Sequence, residues 1–189
     1  MLLDTPHGPA RAHLREGACG LLVLGHGAGG TIEAPDLQAV AAAAHDAGWG
    51  VALVEQPYRV AGRRSAAPAH QLDAAWTAVC AGLPRRGPLV TGGRSSGARV
   101  ACRTAPATGA AAVLCLAFPL VTPKGASRQD ELDGAGVPVL VVQGERDRFG
   151  VPAPAPGREV VVVRGDHALK ADPAAVAATA AAWLARLAP

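Results

Sequence analysis

Aromatic residues are the scarcest class in this chain of 189 residues, at 3% of a composition that is 50% hydrophobic. With so few rings, a core has to be assembled mainly from alanine, valine and leucine. Long apolar runs are missing as well. No segment approaches the roughly 18 uninterrupted apolar residues of a membrane span, and residues 1–20 lack the basic-then-apolar order of a secretory signal. The expectation is a soluble, cytoplasmic protein that engages no membrane. The four cysteines, Cys19, Cys80, Cys102 and Cys115, contain no C-x-x-C pair, which argues against a zinc site or a disulfide framework and for buried free thiols. No metal and no cofactor is expected. Charge of one sign is also in short supply: the net charge is +3, and the 16 arginines are scattered rather than gathered on one helical stripe. That pattern carries no footprint of nucleic-acid binding. Internal repeats and low-complexity linkers are absent, and the length suits one domain over residues 1–189.

What the chain does have is a series of short, continuous apolar runs separated by helix-compatible stretches. Residues 21–24, 51–54, 89–90, 113–118, 137–142 and 160–163 read as strands buried on both faces of a parallel sheet, with a modest outer strand at 10–14. Helices are expected at 36–47, where Asp36 or Thr31 marks the start and Gly48 the end, at 69–81, and at 173–187 with Val176, Ala180, Trp183 and Leu187 on one face. Residues 56–68 read as a polar loop, and the prolines of 152–156 as a stiff one. Strands alternating with helices predict an α/β fold with a doubly wound, mostly parallel sheet flanked by helices.

The stretch Gly93-Arg94-Ser95-Ser96-Gly97 is a G-x-S-x-G sequence between an apolar run and a helix-compatible one, the context of a nucleophile elbow. A Cβ at residue 93 or 97 is expected to crowd the neighbouring strand or the helix start. A reactive serine needs a base, and the base an orienting acid. Asp147 falls just beyond the run 137–142, and His167 just beyond the run 160–163. Parallel strands bring their carboxyl ends to one edge of the sheet, so Ser95, Asp147 and His167 are predicted to converge in the order nucleophile, acid, base. Glu145, two residues nearer its strand, is a rival to Asp147. The glycine-rich turn after residues 21–24 can aim the Ala28 N–H beside that of Ser96, as two donors for an oxyanion. His26 then braces the turn or borders the substrate.

Other readings of the same residues stay open. Gly25 to Gly30 also fit G-x-G-x-x-G, with Glu55 placed for a ribose, although Thr31 to Pro35 intervene before the helix. A non-catalytic binding module on the same fold is a further alternative. Tyr58, Arg59, Arg63 and Arg64, in the loop after the run 51–54, and Phe118 and Phe149 are candidate substrate contacts. The arginines could select an anionic substrate or form a solvated basic loop.

With those residues in view, the chain resembles the α/β-hydrolase superfamily over nearly its whole length, and most of all its small, lidless, dienelactone-hydrolase-like branch. The resemblance rests on Leu24-Gly25-His26-Gly27-Ala28-Gly29-Gly30, Gln56-Pro57-Tyr58-Arg59, Gly92-Gly93-Arg94-Ser95-Ser96-Gly97 and Gly165-Asp166-His167. These look like phrases of bacterial members of that branch, which in turn resemble the hydrolase part of a chromatin-associated regulatory subunit. The resemblance implies an α/β-hydrolase fold without a cap domain, with Ser95 as nucleophile, Asp147 as acid and His167 as base; it implies no substrate, and hydrolysis of a small-molecule carboxylic ester or thioester is the expectation that these three residues themselves carry. Two departures stand out. Dienelactone hydrolases proper carry cysteine where Ser95 stands, and residues 151–157 form a short proline-rich loop where a helix is usual. Residues 119–136 are too few for a helical lid and are broken by Pro119, Pro123, Gly125, Gly134 and Gly136, so an open cleft with at most one short helix near 127–132 is expected.

Overall fold

The computed structural model describes residues 1–188. Its strands are β1 (Leu2–Leu3), β2 (Ala10–Arg15), β3 (Leu21–Gly25), β4 (Gly50–Glu55), β5 (Leu89–Arg94), β6 (Ala112–Leu116), β7 (Val139–Gly144) and β8 (Arg158–Val163). They form one sheet in the order β1-β2-β4-β3-β5-β6-β7-β8. Every pairing from β4 to β8 is parallel, whereas β1 with β2 and β2 with β4 are antiparallel. The apolar runs become central strands because both their faces are covered: β3 and β6 are buried at every position.

Helices α1 (Pro35–Asp46) and α6 (Pro173–Ala185) pack together over one face. There, Leu22 and Leu24 of β3 meet Leu37, Val40, Trp183 and Leu184. Their neighbours Leu21 and Val23 point the other way, against Leu72, Trp76 and Val79 of α3 (Ala69–Gly82), as the two-residue repeat of a strand requires. Helix α4 (Ser96–Thr108) completes that second layer beside α3. Each Leu or Val taken fully out of water contributes about 1.5–3 kcal/mol, so a core poor in rings still holds. The rings the chain does have go inside, Trp49, Trp76 and Phe118 being wholly buried.

Three expectations need correcting. The stretch 56–68 is not all loop: Pro57 opens a short helix, α2 (Pro57–Val60), and both Pro57 and Tyr58 are buried, because a proline at the first helical position fits its fixed φ. The last strand is not buried on both faces. β8 is the sheet edge, and Val162 on it is 51% exposed. Cys19 is only half-buried, unlike the other three free thiols. The two-residue strand β1 at the opposite edge was not anticipated, since two residues carry no periodicity. Between β6 and β7 the chain forms one short helix, α5 (Gln129–Asp133), and no cap domain.

Candidate active site

The turn at Ser95 is built by what its glycines leave out. A Cβ on Gly93 or on Gly97 would collide with the backbone oxygen of Gly25 in β3, so only glycine lets β5 pass that close and turn at once into α4. Ser95 itself takes φ 53°, ψ −107°, a region that costs a residue with a side chain on the order of 1–3 kcal/mol and persists only when its surroundings hold it. Its N–H donates to Leu116 O of the adjacent strand at 2.9 Å.

Parallel strands deliver the partners. His167 Nε2 lies 3.0 Å from Ser95 Oγ, and His167 Nδ1 lies 2.8 Å from Asp147 Oδ2. A carboxylate only accepts, so Nδ1 carries the proton and Nε2 is left to accept from the serine hydroxyl. The Asp147 side chain is wholly buried, and the imidazole retains 19% exposure. Asp147 Oδ1 accepts from Phe149 N at 2.9 Å, while Oδ2 also accepts from Gln143 Nε2 at 2.8 Å. Gln143 is the last side chain before β7 ends, and its Nε2 faces Phe118 O at 3.0 Å and Gly150 O at 2.9 Å as well. Three acceptors around one nitrogen fix which way the amide points. Glu145 takes no part: its side chain is 49% exposed and its cationic neighbour is Arg146.

The glycine-rich turn is braced from behind. His26 Nε2 accepts from Gln56 N at 3.2 Å, so Nδ1 must hold the proton that it donates to Gly27 O at 2.8 Å. Burial depresses the His26 pKa, with the Gly27 carbonyl pulling the other way, in keeping with this neutral tautomer. Because a trans peptide is planar, holding the Gly27 carbonyl inward turns the Ala28 N–H of the same unit outward. Tyr58 Oη donates to Ala28 O at 2.8 Å and fixes the next peptide. The Ser96 N–H, first in α4, has no preceding helical carbonyl to use it.

The expected substrate contacts separate. Ala28, Ser95, Ser96 and Phe149 border one cavity of about 250 Å³, closed partly by Ala66, Ala67 and Leu72; the Phe149 ring stands edge-on to His167 with centroids 4.6 Å apart. His26 and Tyr58 are buried behind the turn, and Phe118 is wholly inside the core, so these three brace rather than line. Arg63 borders a separate small hollow with Tyr58 and Ala61, Arg59 Nη1 donates to Arg63 O, and Arg64 is exposed. None of these arginines reaches the cavity. The dinucleotide alternative also fails on position: Glu55 is engaged by Arg11 and His13 across the sheet, and the buried carboxylate of Asp36 stands in the first turn of α1, where a pyrophosphate would need positive potential.

One residue of the elbow does more than its sequence position announced. Arg94 Nη2 donates to His167 O at 2.8 Å, and its Nε lies 3.0 Å from Asp36 Oδ2, a carboxylate with no exposure. The guanidinium thus ties the histidine loop to the start of α1 and passes beside Gly27. Gln143 and Arg94 were both missed. The first was signalled only by a lone amide in an otherwise apolar run, the second by nothing beyond its charge next to the serine.

The family model described as "Alpha/beta hydrolase domain" matches residues 18–183. The chain belongs to that alpha/beta hydrolase family. No curated protein sequence matches it well enough to count as a relative. Among solved structures, this alpha/beta hydrolase is similar to a lidless serine hydrolase from Xanthomonas campestris, at TM-score 0.78 and 18% identity over 100% of this chain and 94% of the other. It is also similar to a dienelactone hydrolase from Anabaena variabilis, at TM-score 0.76 and 18% identity over 100% and 97%. Est1E from Butyrivibrio proteoclasticus aligns at TM-score 0.76 and 15% identity over 99% and 98%. At such identities the likeness speaks for the fold. Among the described residues no helix is long and apolar enough to cross a membrane, and no cluster of ligating side chains suits a metal ion.

Proposed function

We propose that this alpha/beta hydrolase is a serine hydrolase that cleaves short carboxylic esters or thioesters through an acyl-enzyme. The observation that carries the reading is the continuous line from Asp147 through His167 to Ser95, 2.8 Å and then 3.0 Å. In this reading Ser95 Oγ attacks the carbonyl carbon while His167 Nε2 takes the hydroxyl proton. The carbonyl oxygen, now negative, is held by the Ala28 and Ser96 N–H groups, each such donor being worth about 10² to 10³ in rate. Collapse of the intermediate expels the alcohol or thiol, which leaves with the proton from His167. A water molecule then gives its proton to the same nitrogen and attacks the acyl-enzyme, releasing the acid and restoring Ser95. Asp147 keeps the imidazole in the required tautomer throughout.

The test is labelling together with turnover. A fluorophosphonate should modify Ser95 stoichiometrically, and Ser95→Ala should lower kcat on p-nitrophenyl butyrate by as much as about 10⁶. Failure of the label to attach, or survival of most of the activity in Ser95→Ala, would leave a binding module on a hydrolase fold as the better account.

A further inference from the structure

The cavity at Ser95 carries a charge that the reaction above does not use. Besides the serine and its neighbours, Arg99, Arg103 and Arg128 border it, and no acidic residue does. Two of these cations are already matched. Arg99 makes paired hydrogen bonds to Glu131 at 2.6 and 2.8 Å. Arg103 does the same with Asp73, at 2.6 and 2.8 Å, and reaches Glu131 with its remaining nitrogen. Arg128 differs. Its Nη1 donates to the carbonyls of Pro119 and Val121 at 3.2 and 3.1 Å, and among the described residues no carboxylate pairs with it. Three cations against two carboxylates leave one positive charge unanswered on the cavity that Ser95 borders. Burial first, and then the repulsion of Arg99 and Arg103, lower the Arg128 pKa, with Glu131 opposing them.

Ser95 and Arg128 border the same cavity, as does Arg99, one helical turn after the serine, whose backbone N–H donates to Ser95 O at 3.2 Å. A volume of about 250 Å³ has room for on the order of eight non-hydrogen atoms, at about 30 Å³ for each water-sized group. We infer that this cavity is an anion subsite whose cation is Arg128, so that the preferred ester carries a carboxylate at the far end of a short acyl chain. A guanidinium offers a carboxylate two parallel N–H groups in a planar fork, which a point charge cannot match. The inference rests on the serine-hydrolase reading and assigns its substrate class.

It is tested with two methyl esters of equal acyl length, monomethyl glutarate and methyl pentanoate, following acid release. Wild type should favour the anionic ester in kcat/KM by about tenfold or more at low ionic strength, and the preference should shrink as salt is raised. Arg128→Gln should reduce the ratio between the two esters about tenfold, and Arg128→Lys should restore part of it. Because a change at residue 128 could also disturb the loop it ties, a second measurement uses the unaltered protein: free glutarate should slow fluorophosphonate labelling of Ser95, while neutral pentanediol at the same concentration should not. Methyl pentanoate cleaved as well as monomethyl glutarate, with glutarate giving no protection, would overturn the subsite and leave the hydrolase intact. If neither ester turns over and Ser95 takes no label, the hydrolase reading fails and the subsite falls with it.

Discussion

Two carboxylates are buried at the site, and their surroundings differ. Asp147 has its oxygens met by a backbone N–H, an amide and an imidazole, at 2.8 to 2.9 Å. Asp36, equally inaccessible, has one guanidinium nitrogen at 3.0 Å, but neither carboxylate oxygen gains an aligned side-chain hydrogen bond from it. Burial raises the Asp36 pKa, with Arg94 and the Leu37 N–H pulling it down. What distinguishes the two positions is aligned side-chain donors, which Asp147 has in Gln143 and His167 and Asp36 lacks. The first carboxylate is aimed at His167, whereas the second is an anchor for Arg94.

That contrast can be broken at its strong end. Asp147→Asn should leave the fold in place yet lower kcat by about 10⁴, because an amide facing His167 Nδ1 can favour the wrong tautomer. Turnover within tenfold of wild type would show that Asp147 does not orient the base. At the weaker end, Arg94→Met leaves Asp36 buried without a counter-charge, and removing one partner of a buried pair costs about 3–5 kcal/mol. Urea unfolding should show the loss, and it should be smaller at pH 5 than at pH 8, since Asp36 has a raised pKa and takes up a proton more readily at the lower pH. An equal loss at both values would mean that Arg94 acts only through His167 O.

The smallest effect concerns His26, whose depressed pKa keeps it neutral in the fold. Below about pH 6.5 the unfolded chain binds a proton there that the folded one refuses, so stability should fall with pH from that point down to the lowered folded pKa. The slope contributed is at most about 1.4 kcal/mol per pH unit. Comparing unfolding at pH 7.5 and 5.5, His26→Asn should be less stable than wild type at neutral pH but lose less on acidification. An identical pH response in both proteins would remove His26 as the source.

Much of this arrangement could be read from the chain because strand ends are where apolar runs stop. Asp147 and His167 each follow such a stop, and parallel pairing does the rest. Side-chain direction within irregular stretches is not written that way. Arg59, Arg63 and Arg64 follow a strand whose end also faces the cleft, yet α2 turns them aside. Arg99 and Arg103 sit on a helix whose inward face was read only as following the serine, and Arg128 lies in a segment noted for its prolines and glycines. Gln143 and Asp36 were visible as residues, but the partners that give each its role lie on other elements.

The positions that meet at Ser95 lie far apart along the chain: 72 residues separate it from His167, and 73 separate Arg94 from the carbonyl it holds. No contiguous fragment bounded by fewer residues than that contains the charge line. Strands β5 and β8 are not neighbours; β6 and β7 stand between them, so the geometry exists only after the intervening strands have registered. Contacts of such long sequence separation are the slow ones in folding, since loop closure comes before the contacts that reward it. On the proposed function the serine becomes reactive only as a property of the whole sheet, and a nascent chain can hold secondary structure while its chemistry stays silent.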